Sequence, residues 1–162
     1  MVYQWKSNGS TTLVIAGDDI LVPAVSGKFF QTVSNTIATG SVFHDGRFNS
    51  DTGNNYNYRY SDNGGADGTS GSATDKVLLG AGGTTTQGFS VSYISNISGE
   101  EKLVVTPQGV AQGVAGAANA PTRRSSVSKW DVTADLINSI TAWNSNSGDY
   151  NTGSNLTVFG TD

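Results

Sequence analysis

Tyr56-Asn57-Tyr58-Arg59-Tyr60 is the most regular alternation in the chain, and its reading decides the fold. A period of two puts three tyrosines on one side of an extended ribbon and Asn57 and Arg59 on the other, which is strand geometry. The same period recurs downstream. Phe89, Val91, Tyr93, Ser95 and Ile97 alternate with Ser90, Ser92, Ile94 and Asn96, which predicts a strand whose Phe89-Val91-Tyr93 side faces the core. Gly99-Glu100-Glu101 then supplies a turn, and Lys102-Leu103-Val104-Val105-Thr106 is the expected hairpin partner, stopped by Pro107. Residues 108 to 120 carry no pattern that places them.

Upstream, Val2-Tyr3-Gln4-Trp5 and Thr11-Thr12-Leu13-Val14-Ile15-Ala16 read as a hairpin around Ser7-Asn8-Gly9-Ser10. Ile20-Leu21-Val22 reads as a short strand closed by Pro23, and residues 29 to 37 as a strand with Phe29, Val33 and Ile37 on one face. Residues 44 to 55 are dense in turn formers and predict a connection, while 61 to 75 predict a long, mobile surface loop. Val77-Leu78-Leu79 is a short apolar run. Val127 to Val132, with Trp130, and Leu156 to Phe159 complete the strands, and Ala134 to Ile140 has the one helix-like spacing, enough for a single turn. Short strands separated by turn signals roughly every ten residues indicate an antiparallel all-β domain, whether sandwich, jelly roll or barrel.

Composition agrees. The 162 residues suit one domain, and no repeat or linker divides them. Ser, Thr, Asn and Gly number 20, 18, 14 and 21, residues that suit turns and the solvent faces of strands better than helix interiors. The absence of Cys excludes disulfides, thiolate zinc sites and Cys nucleophiles. Nine Lys and Arg, scattered singly apart from Arg123-Arg124, leave a net charge of −4 and no footprint for a phosphate backbone, so nucleic acid is not an expected partner. Neither a membrane span nor a signal-peptide core is visible, so a soluble protein made in the cytosol is expected. Asn-x-Ser/Thr triplets at Asn8, Asn96 and Asn155 are what chance produces in such a chain.

Residues able to carry chemistry are few. His44, beside Asp45, is the single histidine and reads as a polar loop residue, with no Gly-x-Ser-x-Gly elbow around any serine. Asn49 to Asn54 and Asp62 to Asp67 are oxygen-rich like calcium loops, but neither follows the EF-hand spacing, and Asx-turns explain both; no cofactor is expected. Glu100-Glu101 and Asp18-Asp19 read as turn solvation, because adjacent strand residues point to opposite faces. A polysaccharide hydrolase is a third expectation, with His44 and these carboxylates as the groups it would have to use. Tyr56, Tyr58 and Tyr60 form the most distinctive constellation. They favour the sandwich core, and together with Asp62, Asn63 and Tyr150, expected in an exposed polar loop, they are the candidate surface for a partner or glycan. Trp5, Trp130 and Trp143 are expected in the core or an interface.

Phe48-Asn49-Ser50-Asp51-Thr52-Gly53-Asn54-Asn55-Tyr56-Asn57-Tyr58 resembles the "fN-D-tGnNY-y" signature of a diffuse family of tailed-bacteriophage virion proteins. Gly88 to Asn96, Ile137-Asn138-Ser139-Ile140-Thr141 and Gly153 to Gly160 resemble three further strands of that family, so the likeness spans about residues 43 to 160. These are turn and core residues, which point to a shared fold more than a shared activity. The resemblance implies a jelly-roll-like β-sandwich body over 41–162; residues 1–40 fit the pattern poorly and are expected as an N-terminal hairpin or arm region. It also implies a non-enzymatic virion protein made in the host cytoplasm. A capsid decoration (cement) protein on the major capsid protein, as a homotrimer or other symmetric oligomer, is the first expectation; a tail-fibre receptor- or glycan-binding domain is the second.

Overall fold

The computed structural model describes residues 4–80, 83–84, 87–111 and 116–162, with the side chains of 83–84 excepted. The sequence's preference for extended backbone is met throughout, since the described residues contain strands and turns and no helix. All strand pairs are antiparallel. The large sheet runs β1 (Lys6–Thr12), β15 (Asn155–Thr161), β3 (Phe29–Thr39), β10 (Gln87–Ser95), β11 (Lys102–Val110), β12 (Thr122–Trp130), β6 (Tyr56–Asp62) and β7 (Gly68–Thr69). A short β14 (Asp149–Tyr150) pairs with the end of β3. The small sheet runs β2 (Asp19–Val22), β13 (Ile140–Trp143), β5 (Asp45–Phe48) and β8 (Val77–Leu78), and β4 (Ser41–Val42) pairs with β9 (Gly83–Thr84).

The two sheets close over one core as a jelly-roll-like sandwich. Ile20, Val22, Phe48, Val77, Ile140 and Ala142 from the small sheet meet Phe30, Tyr56, Ile94, Val104, Trp130, Leu156 and Val158 from the large one. Phe48, Tyr56 and Trp130 pack ring on ring, with centroids 5.8 to 6.3 Å apart. Between the sheets also lies a band of hydroxyls. Thr32, Ser34 and Thr36 of β3, Ser90 and Ser92 of β10, Thr106 of β11, and Ser126 and Ser128 of β12 are all buried.

That band corrects the expected facing of β10. Ser90, Ser92 and Ile94 turn inward, and Phe89 and Tyr93 point out. The period of two was legible, but the side was inverted. Ser90 finds Ser34 at 2.6 Å and Ser92 finds Thr106 at 2.8 Å, so small hydroxyls satisfy one another inside, as buried polar groups must.

Other expectations also change. β1 crosses the supposed turn at Ser7 to Ser10 and pairs with β15, with a bulge at Asn8 between Ser7 and Gly9, the latter at φ +136°; Leu13 to Ala16 are not strand, and Val2-Tyr3 lies outside the described residues. With β1 on β15 and β3 inside the large sheet, residues 4 to 40 are woven into the sandwich instead of forming an arm. Pro107 does not stop β11, which runs on to Val110 and places Pro107 opposite Ser125. Ala134 to Ser139 form no helical turn. Asp45 to Phe48 are strand, where a loop was expected.

Residues 61 to 75 are a hairpin and a strap instead of an open loop. Asn63 and Gly64 have φ of 52° and 78°, and Gly65 N–H donates to Asp62 O at 2.8 Å, the type I′ turn that matches strand twist. β7 then pairs back on Arg59 and Tyr60, and Thr74 bridges to Tyr56. The Asn-Gly pair was a readable signal for this turn.

Candidate functional site

His44, expected in a loop, is buried at 2% exposure between the sheets. Its Nε2 lies 2.8 Å from Ser34 Oγ, and its Nδ1 lies 2.9 Å from the Tyr150 hydroxyl. Tyr150 OH donates on to Phe43 O at 3.2 Å. One proton order satisfies the chain: Ser90 donates to Ser34, Ser34 to Nε2, Nδ1–H to Tyr150, and Tyr150 to the carbonyl. This order needs a neutral imidazole, and burial lowers the His44 pKa to about 4. The contact has the form of a nucleophile and its base. Ser34 is itself 2% exposed and enclosed by β3 and β10, so its hydroxyl faces neighbours instead of solvent.

Asp45 is also buried, and its carboxylate accepts from Lys76 Nζ at 2.8 Å and from Ser145 Oγ. Burial raises its pKa, against the opposing pull of Lys76 and Ser145. Arg47 pairs with Asp75 and lies over the Trp143 ring at 3.4 Å.

The oxygen-rich segment 49–55 is a brace. Asn49 and Ser50 take φ of 54° and 56°, turning the chain so that Asp51 N–H reaches Phe48 O at 2.9 Å. Asn49 Oδ1 then accepts from the N–H groups of Asn138 and Ser139, and its amide donates to Leu136 O at 2.9 Å, which holds the irregular stretch before β13. Asp51 accepts from Gly53 N–H at 2.8 Å, Asn55 Nδ2 at 2.9 Å and the Trp130 indole N–H at 2.7 Å. Partial burial pushes this carboxyl up, but the hydrogen bonds from Asn55, Trp130 and Gly53 outweigh it and hold the pKa below its ordinary value. Among the described residues no three His, Cys, Asp or Glu side chains converge as metal ligands.

The sequence-selected surface residues separate. Tyr56 is buried and its hydroxyl accepts from Phe48 N–H at 3.1 Å; Tyr150, expected exposed, is fully buried. The physical reason is the hydroxyl of each, which has an interior polar partner waiting. Tyr58 and Tyr60 are half-buried, with ring centroids 6.2 Å apart. Gly68 lies against the Tyr60 ring, where a Cβ would stand 2.6 Å from it, and Arg124 stacks over it at 4.4 Å while gripping Asp62 through two 2.7 Å bonds. Asn63 is exposed, and its Oδ1 accepts from Arg123 N–H at 2.9 Å. Trp130 is core, Trp143 is half-buried under Arg47, and Trp5 is exposed. Asn8, Asn96 and Asn155 each spend their amides on internal hydrogen bonds.

What sequence reasoning missed is the outward face of the large sheet. Phe89 and Tyr93 of β10, Leu103 and Val105 of β11 and Val127 of β12 are each 49 to 53% exposed. Tyr93 is paired with Val105, and Val105 with Val127, so three strands contribute to one continuous row. Two shallow grooves meet at Val105, one of about 340 Å³ with Trp5, Phe29, Tyr93 and Leu103, the other of about 390 Å³ with Arg59, Pro107 and Val127. The solvent face of an antiparallel sheet is ordinarily polar by alternation. Comparison of the chain with protein-family models, with curated proteins and with solved structures returned no significant match.

Proposed function

We propose that the protein is a non-enzymatic structural component of a tailed-bacteriophage virion. In this reading it is a capsid decoration (cement) protein, made in the host cytoplasm and docked as a trimer or other symmetric homo-oligomer on the major capsid protein. The observation that carries its assembly with other chains is the apolar outward face of the large sheet around Tyr93, Val105 and Val127, which leaves water only when another surface covers it. The virion assignment draws on the resemblance of Phe48 to Tyr58, whose Asn49, Asp51 and Tyr56 act here as fold braces. The enclosed state of His44 and Ser34 supports the non-enzymatic reading, which needs no cofactor, membrane or nucleic acid. Immunogold labelling of particles carrying the chain tests the assignment. Label over the capsid shell is expected, label confined to tail tips moves the protein to the tail, and unlabelled particles overturn the virion reading.

A second reading, a tail-fibre receptor- or glycan-binding domain, is favoured by the half-buried Tyr58 and Tyr60 beside Asp62 and Asn63. Glycan-array binding lost in a folded Tyr58→Ala variant supports it; a blank array with the unaltered chain removes it.

A further inference from the structure

We propose that the outward face of the large sheet is where this chain binds a second copy of itself. The inference rests on the homo-oligomeric part of the function proposed above and names the surface through which the copies meet.

Area is the first argument. Trp5, Phe29, Phe89 and Tyr93 are 42 to 53% exposed. An aromatic side chain buries 150–250 Å² when covered, so these four leave about 400 Å² of ring surface to water. Leu103, Val105 and Val127, each half exposed, bring the apolar total to about 600 Å². A standard interface takes about 800 Å² from each partner, and about 65% of it is apolar when like chains meet, which is about 520 Å². The patch therefore supplies what self-association needs, at the upper limit of what a monomer leaves uncovered.

Its layout is the second argument. Apolar residues occupy the middle strands β10 and β11, and the rim is polar, with Gln31 beside Tyr93, Ser125 opposite Pro107 and Lys129 opposite Leu103. Interfaces have this core and rim.

Charge selects the occupant. Rim cations are neutralised within the chain, Arg59 by Asp67 at 3.1 Å and Lys129 by Glu101 at 2.7 Å, while Arg123 stands beyond Ser125 at the end of β12. A surface whose nearest cations, Arg59 and Lys129, are already paired offers little to a strongly charged partner, and its own copy brings the same paired cations to the contact.

Analytical ultracentrifugation of the full chain at micromolar concentrations tests this. The unaltered chain is expected to be oligomeric, and Val105→Glu, placed where both grooves meet, is expected to weaken association at least about tenfold with an unchanged circular dichroism spectrum. Leu21→Thr, an exposed leucine on the small sheet, is the control and leaves association intact. If Val105→Glu fails to fold, the paired change Leu103→Thr and Val127→Thr is held to the same expectation. A monomeric chain, or an oligomer indifferent to these changes, overturns the inference. A monomer that still labels capsid shells overturns it while leaving the virion reading standing; an oligomer dissociated by Val105→Glu that labels no particle supports it and removes the virion reading.

Discussion

Ser34 Oγ of β3 and His44 Nε2, ten residues apart in sequence, lie 2.8 Å from each other in the middle of the sandwich, and the imidazole is tied on its other side to Tyr150. The pair carries a pH dependence whose sign follows from burial. The folded His44 pKa is about 4 against an ordinary 6.5, so between these values the unfolded chain binds more protons. Stability is therefore full above about pH 7 and declines as pH falls from 6.5 toward 4, by about 3 kcal/mol in total. Asp45, with a carboxyl raised by burial, opposes part of that loss. Denaturant melts of the unaltered chain and His44→Gln across this window are expected to converge on acidification, because the variant lacks the histidine contribution.

Removing the acceptor beneath Trp130 is a second test. Asp51→Ala leaves the indole N–H and the Gly53 N–H without their partner, and a loss of about 1–3 kcal/mol is expected, with a shift in tryptophan emission. Asp51→Asn keeps one acceptor oxygen and loses less. Because the Asp51 carboxyl is held below its ordinary pKa, its contribution is present at neutral pH and disappears as acid protonates it in the folded state.

The Asn63-Gly64 turn makes a conformational prediction. Both residues sit at positive φ, which a side chain other than that of Asn or Asp adopts at a cost. Asn63→Ala is expected to lower stability by about 1 kcal/mol, read as a fall in Tm, and Asn63→Gly to restore most of it.

The hydroxyl band predicts non-additivity. Thr106 Oγ1 lies 2.8 Å from Ser92 Oγ and 3.2 Å from Leu78 O, all in the interior. Ser92→Ala and Thr106→Val each leave a buried group short of a partner, whereas the double change removes both ends. The double variant should lose less than the sum of the singles, by about 0.5–3 kcal/mol in a double-mutant cycle.

Much of the fold was legible because alternation and turn chemistry are local. β6 and β10 follow from period-two stretches, β2 and β15 from short apolar runs, the expected strand at 127–132 meets only the end of β12, and the Asn-Gly turn carried its own signal. The candidate surface was less legible. Tyr56 and Tyr150 share a residue type with Tyr58, yet their hydroxyls end on Phe48 N–H and on His44, partners invisible from neighbouring sequence in the case of Tyr150.

By itself the sequence determined that this is an antiparallel all-β chain, with strands where hydrophobic and polar residues alternate and turns where Asn, Asp and Gly gather. Which side of β10 faces inward was decided only by tertiary structure. Alternation distinguishes two faces without saying which is covered, and the choice fell to hydroxyls that pair across strands: Ser90 with Ser34 and Ser92 with Thr106. Those partners lie 56 and 14 residues away, so no local pattern could reveal that Phe89 and Tyr93 would be left facing water.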